Sequence, residues 1–229
     1  MARQSDITAL IAKAEQQLQQ IMKEYDAALH AQTIAAPLKV DIKNYCENLR
    51  SVLDYLAHSV REKYCPKENP KDIFYFPITP DVSQYKAQMT RSYPGLQIAN
   101  AAVWQLLERC QPYCPDFAWL ASLNKVNNEN KHGALVAQVR REAVETRVDV
   151  AGGGTVSWTQ GVFFSGNVSI NGIPIDPRTQ LPVPDPRVRV TKTTWVDFHF
   201  QDVGVSAIAL LRDSLRGTKA IASGLEPHL

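Results

Sequence analysis

The rhythm of apolar and polar residues changes once along this chain, near position 133. Before it, apolar side chains return every three or four residues; after it, they mostly alternate. Ile7, Leu10, Ile11, Ala14, Leu18, Ile21, Met22, Tyr25 and Leu29 form one stripe and predict a helix over 5–30, with Ser5 or Asp6 as its cap. Residues 31–37 make a turn ending in Pro37. Ile42, Tyr45, Leu49, Val52, Leu53, Leu56 and Val60 then predict a second helix from Leu38 to Tyr64, ended by Pro66. Two long amphipathic helices with a short link should lie antiparallel, each covering the other's stripe. Neither stripe is stable facing water, so at least a third helix must complete the core.

Four prolines (Pro66, Pro70, Pro77, Pro80) and the run Phe74-Tyr75-Phe76 mark 66–80 as an ordered loop, since three consecutive aromatic rings are costly to leave wet. Short helices are expected at 81–90 and 95–109. A further helix runs from Asp116, its cap, to Lys131, with Gly133 as its stop. It opens with Phe117, Leu120 and Leu123 and closes with Asn124, Asn127, Asn128, Lys131 and His132. At about 100° per residue, Leu120, Asn124, Asn127 and Lys131 share one side. A face that is greasy at one end and amide-rich at the other predicts a cleft or a buried polar network.

Past Gly133, residues 134–150 read as extended, Gly152-Gly153-Gly154 as a turn and Thr155–Phe164 as a strand. Asn171-Gly172, between Val168-Ser169-Ile170 and Ile173-Pro174-Ile175, is a strong hairpin signal, and Pro174 suggests an edge strand. Residues 187–200 alternate as a strand: Val188, Val190, Thr194, Val196, Phe198 and Phe200 face one way. A last helix, 205–222, carries a stripe of Val205, Ile208, Leu211, Leu215 and Ala222. The order predicts an α+β fold: an antiparallel helical bundle (1–133), a small antiparallel β-meander (134–203) and a C-terminal helix (204–229) returning to the bundle, all in one domain over 1–229.

Composition narrows the function. Lys and Arg number 25 against 23 Asp and Glu, a formal charge of +2. A dedicated nucleic-acid binder usually carries a larger excess or a basic run, so RNA as a partner finds no support in the charge. No apolar stretch reaches the roughly 18–20 residues that span a bilayer, and the N-terminus lacks a signal peptide's apolar core. The expected place is the cytoplasm, with no membrane partner. Of Cys46, Cys65, Cys110 and Cys114 only the last two are close, and no second short pair accompanies them. Four reduced thiols and no metal or cofactor are expected. No phosphate-binding Gly loop, nucleophile elbow or His-Glu-x-x-His is present.

Two polar sets could carry chemistry. Arg50, Asp54 and His58 follow one another at four-residue steps, with Arg61 nearby. They form either a solvated helix face or one wall of a polar cleft reaching toward the asparagine-rich helix. In the second set, Lys131 could hold a carboxylate or phosphate and His132 could move a proton, or both could simply meet the helix dipole. His199 and Trp195 share a strand face, where a lone His is usually surface; His30 and His228 sit at ends and need no function.

Asn48-Leu49-Arg50-Ser51-Val52-Leu53-Asp54-Tyr55-Leu56-Ala57, Phe76-Pro77-Ile78, Gln111-Pro112-Tyr113 and Leu123-Asn124 through Lys131-His132 resemble the motifs of a family of uncharacterised, mainly bacterial proteins. The likeness covers most of the chain. More distantly, the helical half is similar to HEPN-type bundles, many of which are metal-independent ribonucleases or nucleotide-associated modules. Those ribonucleases place an Arg four to six residues ahead of a His on one helix. Here seven residues separate Arg50 from His58, and Lys125, with six before His132, is not Arg. The primary expectation is a binding or interaction protein with a polar cleft at Arg50, Asp54, Asn124, Asn128 and Lys131, taking a small molecule, nucleotide or protein, and forming a homodimer through bundle packing. The alternative is a HEPN-like ribonuclease or nucleotide-processing enzyme, with His132 as acid or base, Lys131 on phosphate and Arg50 stabilising charge.

Overall fold

The computed structural model describes the backbone of residues 2–31, 35–65, 74–132, 138–159, 161–200 and 203–229, without the side chains of 2, 29–31, 129–132, 138–140, 143 and 193–196. The fold is α+β. Two compact units divide the chain: one of helices, 1–139 with 198–229, and one of strands, 140–197.

In the helical unit, α1 (Ala2–Ala31) and α2 (Ala36–Tyr64) form the expected hairpin. Arg3 meets Glu62 at 2.5 Å near one end, and Asn48 donates to Gln17 at 2.7 Å midway, which fixes the pair antiparallel. α1 starts before Ser5 and Asp6, so neither caps it. Pro37 lies within the first turn of α2, where its missing N–H costs nothing. α7 (Ala207–Leu225) lies along both. The Tyr45 hydroxyl donates to the Leu211 carbonyl at 2.8 Å and the Tyr64 hydroxyl to the His228 carbonyl at 2.5 Å, so α7 runs parallel to α2. Tyr45, Leu49, Val52, Leu53 and Leu56 are buried in the resulting core.

α3 (Val82–Ser92) is capped by Asp81, which accepts from the Gln84 amide. The helix expected over 95–109 is two, α4 (Leu96–Ala99) and α5 (Ala101–Arg109). Asn100 breaks it, because its side chain accepts from the Val103 amide and starts a new helix. A single 3₁₀ turn, Pro115–Phe117, precedes α6 (Trp119–His132), so Asp116 is not the cap. α6 packs on α2 and α7. The buried face of α7 is centred on Leu210, Leu211, Ser214, Gly217, Thr218 and Ile221; the predicted Ile208, Leu215 and Ala222 flank it. Gly217 sets this phase. A Cβ there would fall 2.2 Å from the Trp119 ring, so the indole lies against bare backbone.

The strands form two ladders: β2 (Gly154–Thr159), β1 (Gln138–Val150) and β6 (Val188–Phe200) in that order, and β3 (Ser169–Ile170), β4 (Ile173–Asp176) and β5 (Leu181–Pro182). Asn171 and Gly172 turn β3 into β4 with φ of 50° and 80°, the geometry this dipeptide favours. Pro174 lies in a central strand, not on an edge. Its carbonyl accepts from the Val183 amide, and the donor it lacks falls at the open end of that ladder. β2 ends at Thr159, well short of the expected Phe164. The core of this unit is Val148, Val150, Ile170, Ile173 and Ile175.

Candidate functional site

The Arg50 stripe of α2 is not a solvated face. Arg50 is only 8% exposed, and the extended segment 74–79 covers it. Four residues apart on one helix, Arg50 and Asp54 pair at 3.1 Å. Together they grip both backbone groups of Phe76: its N–H donates to Asp54 Oδ1 at 2.8 Å, and Arg50 Nη2 donates to its carbonyl at 3.3 Å. The two side chains thus act like the edge of a strand.

Gln111 secures the far end of the same segment. Its Oε1 accepts from the Thr79 amide at 2.9 Å and the Thr79 hydroxyl at 3.1 Å. Its Nε2 donates to the carbonyls of Pro77 and Leu107 at 3.0 and 2.9 Å. Every hydrogen-bonding position of this fully buried amide is used. Sequence reasoning singled out neither Gln111 nor Thr79 for a role; the turn containing Gln111 entered only as part of a resemblance. The helix motif, the Phe-Pro-Ile loop and the Gln-Pro-Tyr turn are one hydrogen-bonded assembly.

Aromatic rings line the outer part. The Arg50 guanidinium lies 5.7 Å from the Tyr75 ring centre and that of Arg61 4.3 Å from Phe74. The His58 ring lies tilted against Phe74 with centroids 4.3 Å apart, and Tyr93 meets Phe74 edge-on at 5.9 Å. Burial, then the neighbouring Arg3 charge, lowers the His58 pKa. Burial, then the Asp54 charge, raises that of Tyr93, which remains a neutral phenol. Among the described residues, Arg50 Nη1 and the Tyr93 hydroxyl in this assembly have no partner.

No described hydrogen bond joins the asparagine-rich end of α6 to this set. Asn127 is buried, with Oδ1 unpartnered; Asn124 is half-buried and Asn128 exposed. No hydrogen bond or ion pair links Asn124 or Asn128 to Arg50 or Asp54 among the described residues. The backbone of Lys131 and His132 closes α6, and their side chains, with that of Trp195, lie outside the described residues, as do those of His30 and Leu29. Gly133, Pro66 and Pro70 lie outside them altogether.

Elsewhere a surface hollow of about 820 Å³ opens between Pro115–Trp119 and α7, and none of the predicted site residues lines it. Among the described residues no helix is long and apolar enough to cross a membrane, and no group of three His, Cys, Asp or Glu could hold a metal ion. Burial raises the Cys46 and Cys110 thiols to about 12. Comparison with known proteins finds no matching family, no similar curated protein and no similar solved structure.

Proposed function

We propose that this chain is a binding or interaction protein of the cytoplasm, whose site is a polar recess on the helical unit. This reading takes Arg50 and Asp54 on α2 as one side of the recess and Asn124, Asn128 and Lys131 of α6 as the other. The observation that carries this reading is Arg50. Its side chain is nine-tenths out of water, yet among the described residues Nη1 has no acceptor, and the Tyr93 hydroxyl, near enough to feel Asp54 and Arg50, has none either. A buried donor without an acceptor costs about 1–3 kcal/mol. A ligand bringing oxygen atoms would recover that energy, and carboxylate or phosphate oxygens suit a guanidinium edge. Such a ligand reaches these donors by displacing segment 74–79, which Asp54 and Gln111 otherwise hold shut. Four unpaired cysteines support a reducing compartment.

Ribonuclease chemistry would need Arg50 on phosphate. Its Nη2 is already shared between Asp54 and the Phe76 carbonyl, which favours holding over catalysis.

Thermal unfolding in sodium phosphate, acetate and chloride at matched ionic strength tests the reading. The melting temperature should climb saturably with phosphate or acetate and not with chloride. Tyr93→Phe, which keeps the ring and removes the hydroxyl, should abolish the climb. An identical response to all three salts defeats the proposal. RNA cleavage by the native chain that disappears in a folded His132→Ala variant would establish the enzyme instead.

A further inference from the structure

In the order β2-β1-β6, β2 pairs on one side only among the described residues. Five of its six residues are exposed, and Trp158 is half-buried. Proteins ordinarily guard such an edge with charge or proline. The other outer strand of this sheet does so, with Arg189 and Lys192 exposed along β6. β2 has neither guard, and no charged residue stands anywhere between Asp149 and Asp176.

The strand also matches itself. Reversed about Ser157, Thr155-Val156-Ser157-Trp158-Thr159 sets Thr155 opposite Thr159, Val156 opposite Trp158, and Ser157 opposite Ser157. Thr–Thr and aromatic–β-branched pairs are favourable cross-strand neighbours, and no like charges meet. Val156 and Trp158 stand on the side of the sheet shared by their β1 partners, Val148 and Thr146, both buried. Trp158 already packs on the apolar cluster around Val148. We propose that β2 pairs antiparallel with β2 of a second copy of this chain, with the two-fold axis at Ser157, so that the three-stranded sheet becomes six-stranded. A two-fold axis repeats every cross-strand pair, so the compatible pairs Thr155–Thr159 and Val156–Trp158 each occur twice in such an interface.

Sedimentation equilibrium over a range of loading concentrations, with circular dichroism to check folding, tests this. Ser157→Glu lies opposite Arg147 of β1, so pairing within one copy is kept while two carboxylates meet across the axis. The native chain should reach twice its 25.6 kDa, and Ser157→Glu alone and Ser157→Lys alone should each stay at the single-chain mass. An equimolar mixture of the two variants should regain the doubled mass. A monomeric native chain, a dimer that survives either single variant, or a mixture that stays monomeric overturns the proposal.

Discussion

Two sets of polar side chains in the helical unit fare differently. Under segment 74–79, the oxygens of part-buried Asp54 and fully buried Gln111 bond to backbone, while Arg50 Nη1 and the Tyr93 hydroxyl beside them have no partner among the described residues. Ser214 Oγ and Thr218 Oγ1 on the buried face of α7, and Trp119 Nε1 at the start of α6, are buried with no partner among the described residues. Other helical hydroxyls of this protein reach back four residues, as Ser51 does to the Glu47 carbonyl at 2.9 Å. Ser214 and Thr218 do not. In the first set polarity fixes the path of an irregular segment; in the second, small size alone is used, and the hydroxyls are carried as a cost.

Removing a polar group should therefore act with opposite sign in the two sets. Gln111→Ala orphans the Thr79 amide and the Pro77 carbonyl and leaves a hole, an expected loss of about 4 kcal/mol in urea unfolding. Gln111→Met keeps the volume but not the bonds; if it is as stable as the native chain, the hydrogen bonds do not hold the loop. Asp54→Ala leaves the Arg50 charge buried and unpaired and should cost about 3 kcal/mol. Gly217→Ala drives a methyl into the Trp119 ring and should cost about 2 kcal/mol, because a packed indole cannot step aside. Ser214→Ala should instead raise stability by about 1 kcal/mol, since it removes an unbonded hydroxyl from a dry site. A fall there would show a partner for that oxygen and collapse the contrast.

The smallest expected effect is on pH dependence. His58 has its folded pKa lowered, chiefly by burial against Phe74, so the fold favours the neutral ring. Its contribution is present above the ordinary value of 6.5 and is lost as pH falls through the lower folded value. His58→Gln should flatten the stability profile in that window; an unchanged profile would assign the slope to another group.

The hairpin of α1 with α2 and the Asn171-Gly172 turn were legible in the sequence because each is decided within a few neighbouring residues. The burial of Arg50 was not. It depends on a loop 26 positions away, and a four-residue charged stripe reads the same whether water or backbone covers it. The stripe read on α7 does pack on the core, but the centre of the buried face was less legible for a related reason. Ile208 and Leu215 attract the eye, but the buried line follows Ser214, Gly217 and Thr218, whose smallness matters only once Trp119 is known to lie there. Lys131 and His132 could be proposed from the sequence for what imidazole and ammonium can do, and nothing about their surroundings could be read from it.

The helical unit is built from two stretches of chain, with the strand unit interposed. During synthesis α1 and α2 leave the ribosome long before α7, the helix that receives the Tyr45 hydroxyl and closes the core. The nascent protein thus waits through the 142 residues from 65 to 206 with Leu49, Leu53 and their neighbours uncovered on one side. A chaperone that shields greasy helices would find its longest opportunity in that interval, and a stop codon within it would release a chain unable to complete its own interior.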